Sequence, residues 1–259
     1  MGSRLEFLFS HVFDGIVWNT LTSERPSMLL LELRNPEKKR TTFAAFDIEA
    51  NRLLWDDLTF EEPWWINLSA TGQGMAFFTI YTETNNPDQK SLLAYDLSSR
   101  AISWWQNDFS VIAAGQTSVS GYSHKFGLKQ LTLDILSGKV INGPIDLPQQ
   151  NLKAIRPFHY KAGETGFETV KSYLNRIIKQ APELGIDYLE AEELIFISCY
   201  IREPGLANYL IVLTSEGDVL LHEKAAENLK GIGIDTFFLL EGSLFFVKNK
   251  CELIRYKLI

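Results

Sequence analysis

An all-β fold built from repeated antiparallel sheets is predicted by three features of the sequence. A motif occurs twice, with its Asp at positions 47 and 96, a period of 49 residues. The apolar segments come in pairs joined by short polar turns. Many of those segments are continuously apolar, which means burial on both faces of a strand. A period in this range belongs to repeat architectures, in which each unit buries its faces only against its neighbours.

The first motif copy is Phe46-Asp47-Ile48-Glu49-Ala50-Asn51-Arg52-Leu53-Leu54-Trp55 and reads as a hairpin. Residues 42–48 run up, Glu49-Ala50-Asn51 turn, and 52–55 return. Asn51 suits the turn because it tolerates a left-handed backbone. The second copy, Tyr95-Asp96-Leu97-Ser98-Ser99-Arg100-Ala101-Ile102-Ser103-Trp104, pairs 92–97 with 101–105. A third, Leu131 to Ile141, has a better turn at Gly138 but carries Asn142 where the Trp would stand. A fourth hairpin joins 209–214 to 219–222, and a fifth joins 243–247 to 252–258. Further strands are expected before each: 28–33; 64–68 and 75–81; 111–114 and 118–123; 186–189 and 194–201; and 234–240. The segment Gly15-Ile16-Val17-Trp18 reads as an outermost strand supplied to the fifth hairpin, which removes two open sheet edges.

One helix interrupts the pattern near residues 165–182. Thr165 and Glu168 have the spacing of a capping box. Phe167, Val170, Leu174, Ile177 and Ile178 recur at helical spacing, with Lys171, Arg176 and Lys179 on the polar side. Pro182 ends it. The insertion spans 161–185.

The gaps between strands are too short for the helices of a parallel α/β sheet. The fold expected is therefore a β-propeller, a single domain over residues 1–259 with five blades, six being the alternative at ~40–45 residues per blade. The hairpin Asp134-Ile135-Leu136-Ser137-Gly138-Lys139 resembles the Asp-x-x-Ser/Thr-Gly-Lys hairpin of quinoprotein-like propellers (the PQQ/WD type), and the copies at Asp47 and Asp96 resemble versions that keep a closing Trp. The succession Leu53-Leu54-Trp55-Asp56-Asp57, Trp64-Trp65 and Leu92-Leu93-Ala94-Tyr95-Asp96 resembles an uncharacterised Bacteroidetes family, a domain of unknown function. That resemblance implies a propeller-like fold and no known activity. The likeness to quinone-dependent enzymes stops at the repeat, so no cofactor is expected.

Composition narrows the function. The chain has 259 residues, 46% hydrophobic, and six Trp, enough to fill a large core. Its net charge of −7 lacks the basic footprint of nucleic-acid binding. No apolar run approaches the ~18 residues of a membrane span. The apolar start near residues 5–13 is too short and too interrupted for a signal peptide. Two cysteines, Cys199 and Cys251, make neither a metal set nor a disulfide framework, and a cytoplasmic location is expected. His11, His124, His159 and His222 share no ligand spacing, so no metal is expected.

Asp47 and Asp96 read as acceptors for turn N–H groups. Trp55, Trp104 and Trp105 read as packing between sheets. The most suggestive segment is Glu61-Glu62-Pro63-Trp64-Trp65. Two carboxylates and two aromatic faces beside a rigid Pro can hold a sugar or a cation. The function expected is a non-catalytic scaffold that binds another protein or peptide. The alternative is a carbohydrate-binding or glycoside-processing protein that uses Glu61, Glu62, Trp64 and Trp65 at a central pocket.

Overall fold

The computed structural model describes residues 5–24, 26–83, 85–124, 127–142, 154–179 and 181–259. They form five antiparallel sheets and one helix, an all-β, propeller-like architecture. Two compact units are present: Phe13–Lys153, and Met1–Val12 with Ala154–Ile259.

The first strand, β1 (Leu5–Val12), belongs to the last sheet and is described with it. The unit 13–153 begins with β2 (Ile16–Glu24), β3 (Ser27–Asn35), β4 (Arg40–Asp47) and β5 (Arg52–Leu58), hydrogen-bonded in chain order. Next come β6 (Ile66–Gly72), β7 (Met75–Tyr81), β8 (Lys90–Asp96) and β9 (Ala101–Gln106), also in order. The third sheet has β10 (Ser110–Ala114), β11 (Ser118–Ser123) and β12 (Lys129–Asp134). Packing explains the continuous apolar runs. Met28, Leu30 and Phe43 of the first sheet meet Ile66, Leu68 and Phe78 of the second. The second sheet's other face, Met75, Phe77 and Leu92, meets Phe109, Val119 and Leu133 of the third. A sheet covered on both sides has no solvent face, so strict alternation is lost.

The motif residues divide their work. Asp47 accepts the Ala50 N–H at 2.8 Å. Asp96 accepts the N–H groups of Ser98 and Ser99, both at 2.8 Å. Asp134 accepts the Ser137 N–H at 2.8 Å. Each Asp thus closes its own turn, and Asn51 and Gly138 hold the positive φ that their turns need, 50° and 68°. The Trp residues act farther away. Trp55 is buried between the first two sheets. Trp104 donates from its indole to the Ile135 carbonyl of the third sheet at 3.0 Å. Its ring lies on Gly138, where a Cβ would come within 2.6 Å of it. Trp105, by contrast, is exposed and bonds to Asn107. In the Trp-less third hairpin the return strand is reduced to the Leu133–Val140 bridge.

In the other unit, β13 (Phe158–Lys161), β14 (Glu183–Ala191), β15 (Leu194–Arg202), β16 (Leu206–Thr214) and β17 (Val219–Leu229) form a five-stranded sheet. The helix α1 (Thr165–Ile177) connects the adjacent strands β13 and β14. It lays Phe167, Val170 and Leu174 on Ile197, Cys199 and Ile211 of the sheet. The opposite face, Phe196, Leu210 and Val212, packs on the last sheet. The capping box at Thr165 does not form. Glu164 is the N-cap residue and Thr165 is already helical. The Glu164 carboxylate is taken by the Lys161 N–H at 2.9 Å, closing a turn that starts the helix one residue early. At the other end Lys179 turns left-handed, φ 58°, so the helix stops short of Pro182.

The last sheet has β18 (Phe237–Leu240), β19 (Ser243–Lys248), β20 (Glu252–Leu258) and β1, in the order β1-β20-β19-β18. An N-terminal strand does complete the fifth hairpin, but it is β1 rather than the strand with Trp18. Leu5 to Val12 pairs with β20 through a bulge between Phe7 and Phe9. Trp18 lies in β2 of the first sheet. The chain turns at Gly15, with φ 150°, and so fits two strands where one was expected.

Candidate functional site

The cleft between the first two sheets is closed by a buried ion pair. Glu32 on β3 is 1% exposed, because its strand is covered on this face by β6. One carboxylate oxygen accepts Arg34 Nε at 2.7 Å, and the other accepts the Leu68 N–H at 2.8 Å. Arg34 also donates to the carbonyls of Trp64 and Ile66, at 3.2 and 3.0 Å, and to Asn67 Oδ1 at 2.7 Å. A buried pair is tolerated when its remaining valences are filled in this way. Burial pushes the Glu32 carboxyl above its ordinary value, against the opposing pull of Leu68 and Arg34. The indoles of Trp18 and Trp64 flank the guanidinium, their centroids 5.6 and 5.2 Å from its carbon.

This arrangement decides what the Glu61, Glu62, Trp64 and Trp65 segment can do. The loop is pinned to β4, with the Thr41 N–H donating to the Pro63 carbonyl at 2.6 Å. Glu62 turns back on its own loop and accepts the N–H groups of Trp64 and Trp65 at 2.9 and 2.7 Å. Trp64 is half-buried against Arg34. Glu61 stays exposed, and the Trp65 ring is 46% exposed. The four residues share one loop, but only Glu61 and Trp65 face outward unencumbered. Glycoside processing uses two carboxylates on opposite sides of the scissile bond, and Glu62 already serves the loop.

Sequence reasoning missed a surface in the unit that contains β13–β18. Ile155, Phe158, Leu184, Ile232 and Ile234 are between 40% and 65% exposed. They lie on three segments held together by specific bonds, with Phe158 beside Tyr160 on the helix-bearing face of β13 and β14 and the 232–236 loop on the opposite face. Ile155 exchanges both backbone hydrogen bonds with Leu239, at 2.8 and 2.9 Å. Arg156 pairs with Asp235 at 3.5 Å. Gly185 brings β14 so close to Ile232 that a Cβ would come within 3.2 Å of its Cδ1. Beneath the 232–236 loop, Asp187 is 1% exposed. It bonds His159 Nδ1 at 2.7 Å and accepts both the N–H and the hydroxyl of Thr236, at 3.0 and 2.8 Å. Tyr200 clamps the same loop through Gly233, donating to its carbonyl at 3.1 Å and accepting its N–H at 2.8 Å. Leu184 has φ 69°, a left-handed backbone that costs a bulky L-residue about 1–2 kcal/mol. Each large apolar residue stands apart from the others in the sequence, flanked only by polar residues, Gly, Ala or Pro, so no periodicity marks it. Only the bonding between distant segments gathers them.

Among the described residues, no three His, Cys, Asp or Glu side chains group as a metal site. No helix is long and apolar enough to cross a membrane.

Residues 22–104 match the family described as "Domain of unknown function (DUF4905)". No curated protein matches the sequence. Among solved structures, the chain is similar to BamB from Moraxella catarrhalis at 12% identity, over 98% of this chain and 99% of that one, with a TM-score of 0.37. It is similar to a member of the duf4221 family from Bacteroides vulgatus at 10% identity, over 100% and 96% of the two chains, with a TM-score of 0.36. A third is the beta-propeller domain of the Trilobed protease from Pyrococcus furiosus, at 9% identity over 92% and 64%, with a TM-score of 0.33. Likenesses at this level carry no argument about activity.

Proposed function

We propose that the protein is a non-catalytic scaffold that binds another protein or a peptide through an apolar surface. The observation that carries the reading is the exposure of Ile155, Ile232 and Ile234 on two segments that hydrogen bonds and an ion pair hold rigid. Exposed apolar surface held in place this way marks interaction sites. A rigid surface also binds without the cost of ordering itself first. The occupant is the apolar face of a partner chain. The rest of the reading is that residues 1–259 act as one domain, in the cytoplasm, without a cofactor, nucleic acid or membrane. Its hairpins are of the quinoprotein-like type, and its relatives are uncharacterised Bacteroidetes proteins. The test is affinity capture from the native host with the wild-type protein and with Ile155→Ser/Ile234→Ser. A protein recovered by the first and lost by the second, at equal melting temperature, supports the reading. Equal recovery by both overturns it.

A second reading rests on Trp65, whose open ring beside the exposed Glu61 offers a stacking face for a sugar. It is a binding reading, not a processing one. A thermal-shift screen with oligosaccharides, repeated on Trp65→Ala, tests it: a shift lost in the variant supports sugar binding, and no shift removes it.

A further inference from the structure

A cavity of about 230 Å³ opens on the face of the first sheet turned away from the Glu32–Arg34 cleft. Alternation sets that face. Thr41 and Arg34 point into the cleft, so Leu33, Asn35, Arg40 and Thr42 point the other way. They meet as direct cross-strand partners, Leu33 with Thr42 and Asn35 with Arg40. Phe13 and Leu33 are buried and form an apolar floor.

The polar rim has a spent part and an open part. Lys38 pairs with Asp14 at 2.6 Å. Asn35 donates to Asp14 at 3.2 Å and accepts the Lys38 N–H at 3.1 Å. That trio is satisfied, and Lys38 holds the Asp14 carboxyl below its ordinary value. Arg40, Thr42, Asp56 and Asp57 also line the cavity. Asp56 has a partner of its own, and the Arg40 charge acts on the Asp14 carboxylate without bonding it. The side chains of Arg40, Thr42 and Asp57 make no hydrogen bond or ion pair among the described residues. The cavity therefore combines a cation, a carboxylate and a hydroxyl, each with unfilled hydrogen-bonding capacity, with an apolar floor. Its volume equals that of roughly eight waters at ~30 Å³ each, the size of an aliphatic amino acid.

We propose that this cavity binds a small zwitterion of the α-amino-acid type. The carboxylate lies on Arg40, whose planar fork suits two carboxylate oxygens. The ammonium lies on Asp57, and a short aliphatic side chain lies on Phe13 and Leu33. A ligand with only one charge leaves the opposite rim group desolvated without a partner, which weakens it relative to the zwitterion.

The experiment is calorimetric titration of the intact chain with L-leucine, with 4-methylpentanoate (carboxylate only) and with isopentylamine (ammonium only). Titration is repeated on Arg40→Gln and Asp57→Asn, two exposed positions whose folding is checked by circular dichroism. The expected result is saturable leucine binding, at least tenfold weaker binding of each single-charge analogue, and at least a tenfold loss of leucine affinity in each variant. No leucine binding at 10 mM (~10 mM being above any useful affinity for such a site) overturns the proposal. Equal binding of the amine or the acid alone also overturns it, as does leucine binding unchanged in both variants.

Discussion

The 59–65 loop and the surface around Ile155 and Ile234 make an instructive pair. The loop is dense with the residues that suggest ligand binding, yet the fold uses most of them itself. Glu62 caps the loop, and Trp64 stacks on Arg34, which is tied to the buried Glu32. The surface is made of ordinary isoleucines, yet the fold leaves them in solvent and braces the 232–236 loop from below through Asp187 and Tyr200. Chemical richness in one stretch of sequence marked a structural joint. The exposed apolar residues came from distant segments with no local signal.

The contrast can be broken first at the joint. Glu32→Ala strands the Arg34 guanidinium and the Leu68 N–H in a buried cleft, and about 3–5 kcal/mol of stability should be lost. Chemical denaturation measures this; a change under 1 kcal/mol would mean that the cleft is wet or loosely packed. Trp104→Ala removes a half-buried indole that links two sheets and orphans the Ile135 carbonyl. It should cost about 2–3 kcal/mol, less than the ~3–5 of a fully buried aromatic. Glu62→Ala frees two loop N–H groups and should cost about 1 kcal/mol, as for a lost cap. Its sharper readout is faster amide exchange at Trp64 and Trp65 with none at Phe158.

The smallest expected effect is in pH dependence. The fold raises the Glu32 pKa, so the folded chain takes up this proton more readily than the unfolded chain. That contribution is fully present below the ordinary value of 4.5 and is lost as pH rises through the folded value. Asp96 runs the other way. Hydrogen bonds from Ser98 and Ser99 lower its pKa, so its contribution is present above 3.8 and lost as pH falls through the folded value. Glu32→Gln should flatten the stability profile above pH 4.5 and leave the acid limb unchanged. An unaltered slope above pH 4.5 would show that Glu32 does not titrate with folding.

Local signals in the sequence carried well. The Asp-to-turn bonds at 47 and 96 involve partners two or three residues away, so spacing alone revealed them, and Asp134 repeats the pattern. Runs such as Met28 to Leu31 showed burial on two faces, and the helix showed its apolar side. The failures were non-local or decided by small competitions. The helix start moved because Glu164 prefers the Lys161 N–H to capping. The strand completing the last sheet was read one element too late, because β1 and β2 are separated only by the turn at Gly15. The apolar surface needs three segments brought together by Leu239, Asp235 and Gly185, and no pattern in the chain encodes that meeting.

The central claim is that the surface around Ile155 and Ile234 is kept exposed for a partner and contributes nothing to the fold. The most direct measurement pairs the melting temperature of Ile155→Ser/Ile234→Ser with its binding to whichever protein the wild type captures. Exposed substitutions away from packed features change stability by less than ~0.5 kcal/mol each, while loss of a central apolar anchor weakens an interface by more than ~2 kcal/mol. An unchanged melting temperature with at least a thirtyfold loss of affinity (~2 kcal/mol at 1.4 kcal/mol per tenfold) is the predicted result. Unchanged affinity, or a protein that no longer folds, would contradict it.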